Sequence, residues 1–95
     1  MEISVKDVAG GADTAAQGEL VLKTLKSELK QGNEVVVAFD GVTTATSSFT
    51  NAAFVPLLSD FSFDHIRTHI RVVRSTRQIN GMIKTRLERA SKSAA

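Results

Sequence analysis

The run Val35-Val36-Val37-Ala38-Phe39-Asp40-Gly41-Val42 narrows the fold of this chain more than any other segment. Five consecutive apolar residues ending in an acid and a glycine predict a strand buried on both faces, then a tight exit turn. Hydroxyls follow at once in Thr44-Ala45-Thr46-Ser47-Ser48-Phe49, where the next helix should start.

The flanking segments alternate in the same sense. Residues 2–6 (Glu-Ile-Ser-Val-Lys) alternate polar and apolar side chains, as a half-exposed strand does, and Gly10-Gly11 breaks the pattern. Asp13 is a suitable N-cap for a helix running to Gln31, with Val21, Leu22, Leu25 and Leu29 at helical spacing and Gly32-Asn33 as a left-handed stop. A second helix is predicted from Ser47 or Ser48 to about Ser59, with Phe49, Ala53 and Leu57 on one stripe. Pro56 should kink that helix or end it early, because its ring clashes with the carbonyl four residues back. Residues 69–74 read as a further strand. Ser75 and Gln78 then form a capping box for a last helix with Ile79, Met82, Ile83, Leu87 and Ala90 on one face. The tail from Ser91 to Ala95 is expected to fray.

Strand–helix alternation of this kind predicts an α/β fold. Helical crossovers join the strands of a parallel or mixed sheet, and in so short a chain all helices can lie on one face. Ninety-five residues make one domain, spanning 1–95, that buries only about 60–65% of its unfolded surface. Function is therefore expected on the surface or with a partner. There is no cysteine, which excludes disulfides and thiolate chemistry. No basic-then-apolar leader and no long apolar run is present, so a soluble, cytoplasmic protein is expected.

The formal charge of +2 conceals an asymmetry. Residues 1–64 carry four lysines against nine acids, a net of −5, while residues 65–95 carry eight cations against Glu88, a net of +7. Such polarity suits an acidic partner, nucleic acid or self-association.

The order of strand, Phe39-Asp40-Gly41-Val42, a short spacer, Thr46-Ser47-Ser48-Phe49 and helix resembles the central signature of STAS domains, named for sulfate transporters and anti-sigma-factor antagonists. It is most similar to the bacterial STAS-like branch. The resemblance covers residues 14–90 in element order, and its specific part is 35–58. It implies a small sheet of about four strands covered by helices, and a regulatory module that binds a protein rather than an enzyme. In antagonist STAS proteins the motif after the strand is Asp-Ser-x-Gly, whose serine a partner kinase phosphorylates. Here Thr46 stands at the acid, Ser47 at the serine and Phe49 at the glycine. The implied mechanism is partner switching. Asp40, Thr46, Ser47, Phe49 and Asn51 would meet the partner, an ATP-dependent serine kinase of the anti-sigma type, and phosphorylation of Ser47 or Ser48 would weaken the contact.

Ser47 has a physical case of its own. A helix N-terminus tolerates a phosphate, and the phosphate adds about −1.5 to −2 charges to the surface. The competing reading is that Ser47 or Ser48 simply caps the helix, contributing about 1 kcal/mol.

Other sites are thinner. Asp64, His65 and His69 could ligate a metal only if they shared one helix, and His69 reads as entering a strand, so neither metal nor cofactor is expected. Arg67, Arg71, Arg74, Arg77, Arg86 and Arg89 form the alternative, a nucleic-acid surface. All five phenylalanines lie between residues 39 and 63, however, so no stacking platform interleaves with those arginines. A third reading is self-assembly, with the acidic part of one copy meeting the basic part of another.

Overall fold

The computed structural model describes residues 1–93. In chain order it contains β1 (Glu2–Ser4), α1 (Val5–Ala9), α2 (Ala15–Lys30), β2 (Val35–Ala38) and α3 (Ser47–Ala53). A 3-10 turn (Val55–Ser59), α4 (Phe63–His69), β3 (Ile70–Val73) and α5 (Arg77–Ser93) follow. The sheet has the order β1-β2-β3 and every pair is parallel. Among the described residues the sheet thus has three strands, not about four.

Register explains which side of the sheet forms the core. Ile3, Val37 and Val72 stand side by side, as do Glu2, Val36 and Arg71. Side chains alternate across a strand, so the two rows point to opposite faces. Ile3 and Val37 are buried beneath the helices, whereas Glu2 and Arg71 are exposed. Successive parallel crossovers of one hand place the connecting helices on one face. Val36, on the outward row, is consequently only half-buried, so β2 is not covered on both sides as its composition predicts.

The core joins Val35, Val37 and Phe39 to Val21, Leu25 and Leu29 of α2, Phe49 and Ala53 of α3, and Ile79, Ile83 and Leu87 of α5. Phe39, Phe49 and Phe54 are its largest fully buried side chains. Each of α2 and α5 therefore sets one apolar stripe against the sheet.

Several local expectations change. Residues 5 and 6 belong to α1, because Ser4 caps a short helix that Gly10 closes. The cap of α2 is Thr14, one residue after Asp13, in a full capping box with Gln17. Its stop is as expected: Gly32 has φ +80°, its N–H bonds to Leu29 and that of Asn33 bonds to Glu28, the Schellman pattern. The helix after the hydroxyl cluster ends at Ala53, and the chain tightens into the 3-10 turn that carries Pro56 near its start. His69 is the last residue of α4, and the strand begins at Ile70. The α5 cap is Thr76, whose hydroxyl accepts from Ile79 N–H at 3.2 Å. Gln78 turns away to bond both backbone groups of Ala45 at 3.0 Å, so the Ser75–Gln78 capping box does not form. The helix continues through residues 91–93 of the expected tail, and residues 94 and 95 lie outside the described residues. Among the described residues, no helix is long and apolar enough to cross a membrane.

Candidate functional site

At the end of β2 the chain turns sharply. Val42 N–H bonds to the Phe39 carbonyl at 2.9 Å, and Gly41 takes φ +76°, a conformation that favours glycine at the third position of a turn. The segment then runs to Thr46, which organises the start of α3. The Thr46 hydroxyl accepts from Phe49 N–H at 3.1 Å and donates to the Asp13 carbonyl at 2.9 Å. Its N–H bonds to the Ala12 carbonyl at 3.0 Å. Thr46, not Ser47 or Ser48, is the helix cap, and it staples α3 to the loop before α2.

That assignment frees the two serines. Ser47 and Ser48 occupy the first turn of α3, Ser47 half-buried and Ser48 exposed, and neither hydroxyl makes a hydrogen bond among the described residues. Asn51, one turn further on, is exposed as well. Phe49 is completely buried, which corrects its place among the surface residues: it anchors the helix and cannot present its ring to a partner in this conformation.

The position of α3 is fixed by close packing. A Cβ built on Gly18 of α2 would lie 2.5 Å from the Phe49 carbonyl oxygen and 2.8 Å from Ala52 Cβ. Only a residue without a side chain lets the two helices approach this closely.

Asp40 is engaged elsewhere. Its carboxylate accepts from Arg74 Nε at 2.5 Å, and Arg74 also donates to Glu2 at 2.6 Å. The hydrogen bonds to Asp40 and then to Glu2 raise the Arg74 pKa above its ordinary value, keeping the guanidinium charged at any working pH. Arg74 lies just past β3 with φ +49°, so it is not on a regular strand with Arg71.

The remaining arginines do not gather on one face. Arg67 pairs with Asp64 at 3.1 Å. On α5, Arg86 is two residues from Lys84, roughly 200° around the helix, so these cations point to opposite sides. Arg77 and Arg89 are exposed, and Arg86 is half-buried.

His65 and His69 do share a helix. Their rings stack at 3.9 Å, with Phe61 stacked on His65 at 5.2 Å. His69 Nδ1 lies 2.9 Å from the His65 carbonyl, and His65 Nε2 is buried without a hydrogen-bond partner. Among the described residues no three His, Cys, Asp or Glu side chains converge as metal ligands. Sequence reasoning missed the stack because it placed His69 in the strand. Ser62 at the cap and Asp64 in the first turn were the available signals for α4.

The site surface is therefore the first turn of α3 with its flanking loops. Comparison with known proteins gives one positive result: a family model described as a STAS-like domain of unknown function (DUF4325) matches residues 17–80. No curated protein and no solved structure gives a match.

Proposed function

We propose that this chain, which belongs to the family of STAS-like domains of unknown function, is a protein-binding regulatory module that acts by partner switching rather than catalysis. Ser47 is the switch residue, with Ser48 second. The partner is a protein of the anti-sigma-kinase kind, an ATP-dependent serine kinase. The observation that carries this reading is the capping of α3 by Thr46. It removes the ordinary structural reason for hydroxyls at positions 47 and 48 and leaves both without a hydrogen bond.

The chemistry is electrostatic. The exposed groups here, Thr46, Ser48 and Asn51, are polar and uncharged, so an unmodified partner contact involves little desolvation of charge. A phosphate on Ser47 adds about −1.5 to −2 charges in the middle of that patch. Trapping such a charge in an interface without a matching cation costs several kcal/mol, enough to release a partner.

The test is capture from a lysate of the source cell on immobilised wild-type protein and on Ser47→Asp, with Ser47→Ala as a control. A protein kept by wild type and Ser47→Ala but lost by Ser47→Asp is the expected result. Equal retention by all three would remove the switch, and retained nucleic acid with no protein would remove the binding module itself.

A further inference from the structure

The free edge of β3 is the strongest unassigned feature. The strand order puts β3 at the margin of the sheet, with β2 on one side and no strand on the other among the described residues. The Val73 carbonyl accepts from Phe39 N–H at 3.1 Å. Backbone direction alternates along a strand, so Arg71 and Val73 address β2 while Ile70 and Val72 address the open side. The Ile70 N–H is already satisfied by the Ile66 carbonyl at the end of α4. The Val72 N–H and C=O and the Ile70 C=O are left for an incoming strand.

The two sides of that edge differ in chemistry. Toward the helices lies a groove of about 280 Å³ whose bed includes Ile66, Ile70, Val72, Ile83 and Leu87. Arg67 and Lys84 stand at its rim, and no carboxylate lines it. On the other side is a depression of about 600 Å³ that shares Arg67, Ile70 and Val72 and adds Arg71 and His69, with Glu34 as its one acid. Arg71 and Lys84 have no ion-pair partner among the described residues, whereas Arg67 is held by Asp64.

We propose that the β3 edge docks an extended acidic segment of a partner protein, which adds to the sheet as a further strand. One set of alternating side chains, apolar, fills the groove beside Val72. The other set, carboxylates, meets Arg71 on the opposite face, while Lys84 at the groove rim adds to the positive field that favours an acidic segment. Period-two alternation makes these demands compatible in one peptide, and main-chain bonds supply affinity while the pockets supply specificity. A second copy of this chain fits worse. Two β3 edges related by a twofold axis would bring Arg71 of each copy together, and like charges opposite one another are destabilising. Nucleic acid also fits worse: of the two rings lining the groove Phe54 is buried and Phe63 is half-buried, so no series of exposed aromatics is there to stack successive bases. The site shares no exposed residue with the first turn of α3, so it stands or falls independently of Ser47.

The test uses short capped peptides that alternate valine with glutamate, or valine with lysine, titrated into the intact protein. Amide exchange and chemical shifts are followed residue by residue. In the free protein Val72 N–H should exchange faster than those of Arg71 and Val73. The glutamate peptide should slow Val72 exchange at least tenfold and shift Val72 and Ile83, and the lysine peptide should bind at least tenfold more weakly. Arg71→Glu and Lys84→Glu, both exposed, should each weaken binding severalfold without changing the melting temperature appreciably. Three results would overturn the proposal: no change at Val72 at millimolar peptide, equal binding of the two peptides, or protection of Val72 by an oligonucleotide instead. Val72 protection that rises with protein concentration alone would assign the edge to a second copy and equally refute it.

Discussion

Gly18→Ala is the sharpest test of how α3 is positioned. Glycine in a helix interior costs about 1 kcal/mol relative to alanine, so propensity alone makes any helical Gly→Ala change stabilising. Gly81, inside α5, isolates that term, because a Cβ there meets nothing within 4 Å. Gly81→Ala should stabilise by about 0.5–1 kcal/mol and raise the melting temperature by roughly 2–8 °C for a domain of this size. At Gly18 the same methyl would sit 2.5 Å from the Phe49 carbonyl oxygen and 3.1 Å from Ala53 N. Both are backbone atoms, so no rotamer can clear them. Restoring ordinary contact at ~3.4 Å needs α3 to withdraw by about 1 Å, which loosens the packing of Phe49. Overpacking of this kind costs about 1–3 kcal/mol, and more where the obstacle is main chain. After the propensity gain, a net loss of about 1–2 kcal/mol remains, a fall of roughly 4–16 °C. Urea unfolding of the two variants beside wild type measures the difference. If Gly18→Ala gains stability as Gly81→Ala does, the close α2–α3 contact is wrong, and with it the placement of Ser47.

Other outcomes follow from the same geometry. Thr46→Ala should destabilise by about 1–2 kcal/mol in urea unfolding, because the cap and the bond to Asp13 are lost together, while Ser47→Ala and Ser48→Ala stay within about 0.5 kcal/mol of wild type. Equal losses at all three positions would return the serines to a capping role. Phe49→Ala should cost about 3–5 kcal/mol and leave the domain partly unfolded by circular dichroism, since the ring is completely buried. Neutralising Arg77 and Arg89 should leave the protein's elution unchanged on a nucleic-acid column at physiological salt, and a steep salt-dependent loss would revive the nucleic-acid reading.

The fold was largely legible where one residue pattern had a single physical solution. The stripe of α2 and the Gly32-Asn33 stop appear as read, and the apolar run 35–39 does form the central strand, although Val36 on its outward row is only half-buried. Caps were read to within one or two residues: Asp13 gave way to Thr14, Ser47 or Ser48 to Thr46, and Ser75 to Thr76. Neighbouring capping residues are comparably competent locally; the box with Gln17 selects Thr14, and tertiary partners decide the other two. Thr46 is selected by its bond to Asp13, and Thr76 by donation to the Thr43 carbonyl at 3.0 Å. Helix α4 was hidden because Phe63, Ile66 and Ile70 bridge a helix and the strand that follows without a break. Phe49 reads from the sequence both as an anchor on the stripe with Ala53 and Leu57 and as a partner contact, and its complete burial decides for the anchor. The Arg74–Asp40–Glu2 cluster, linking residues up to 72 apart in the chain, had no local signature at all.

The most direct test of the switch is the equilibrium affinity of the captured partner, once purified, for wild type, Ser47→Ala and Ser47→Asp at equal ionic strength. Affinity within about threefold of wild type for Ser47→Ala, and at least tenfold weaker (about 1.4 kcal/mol) for Ser47→Asp with an unchanged melting temperature, is the predicted result. Indistinguishable affinities for wild type and Ser47→Asp would contradict it and leave a binding module without a switch at Ser47.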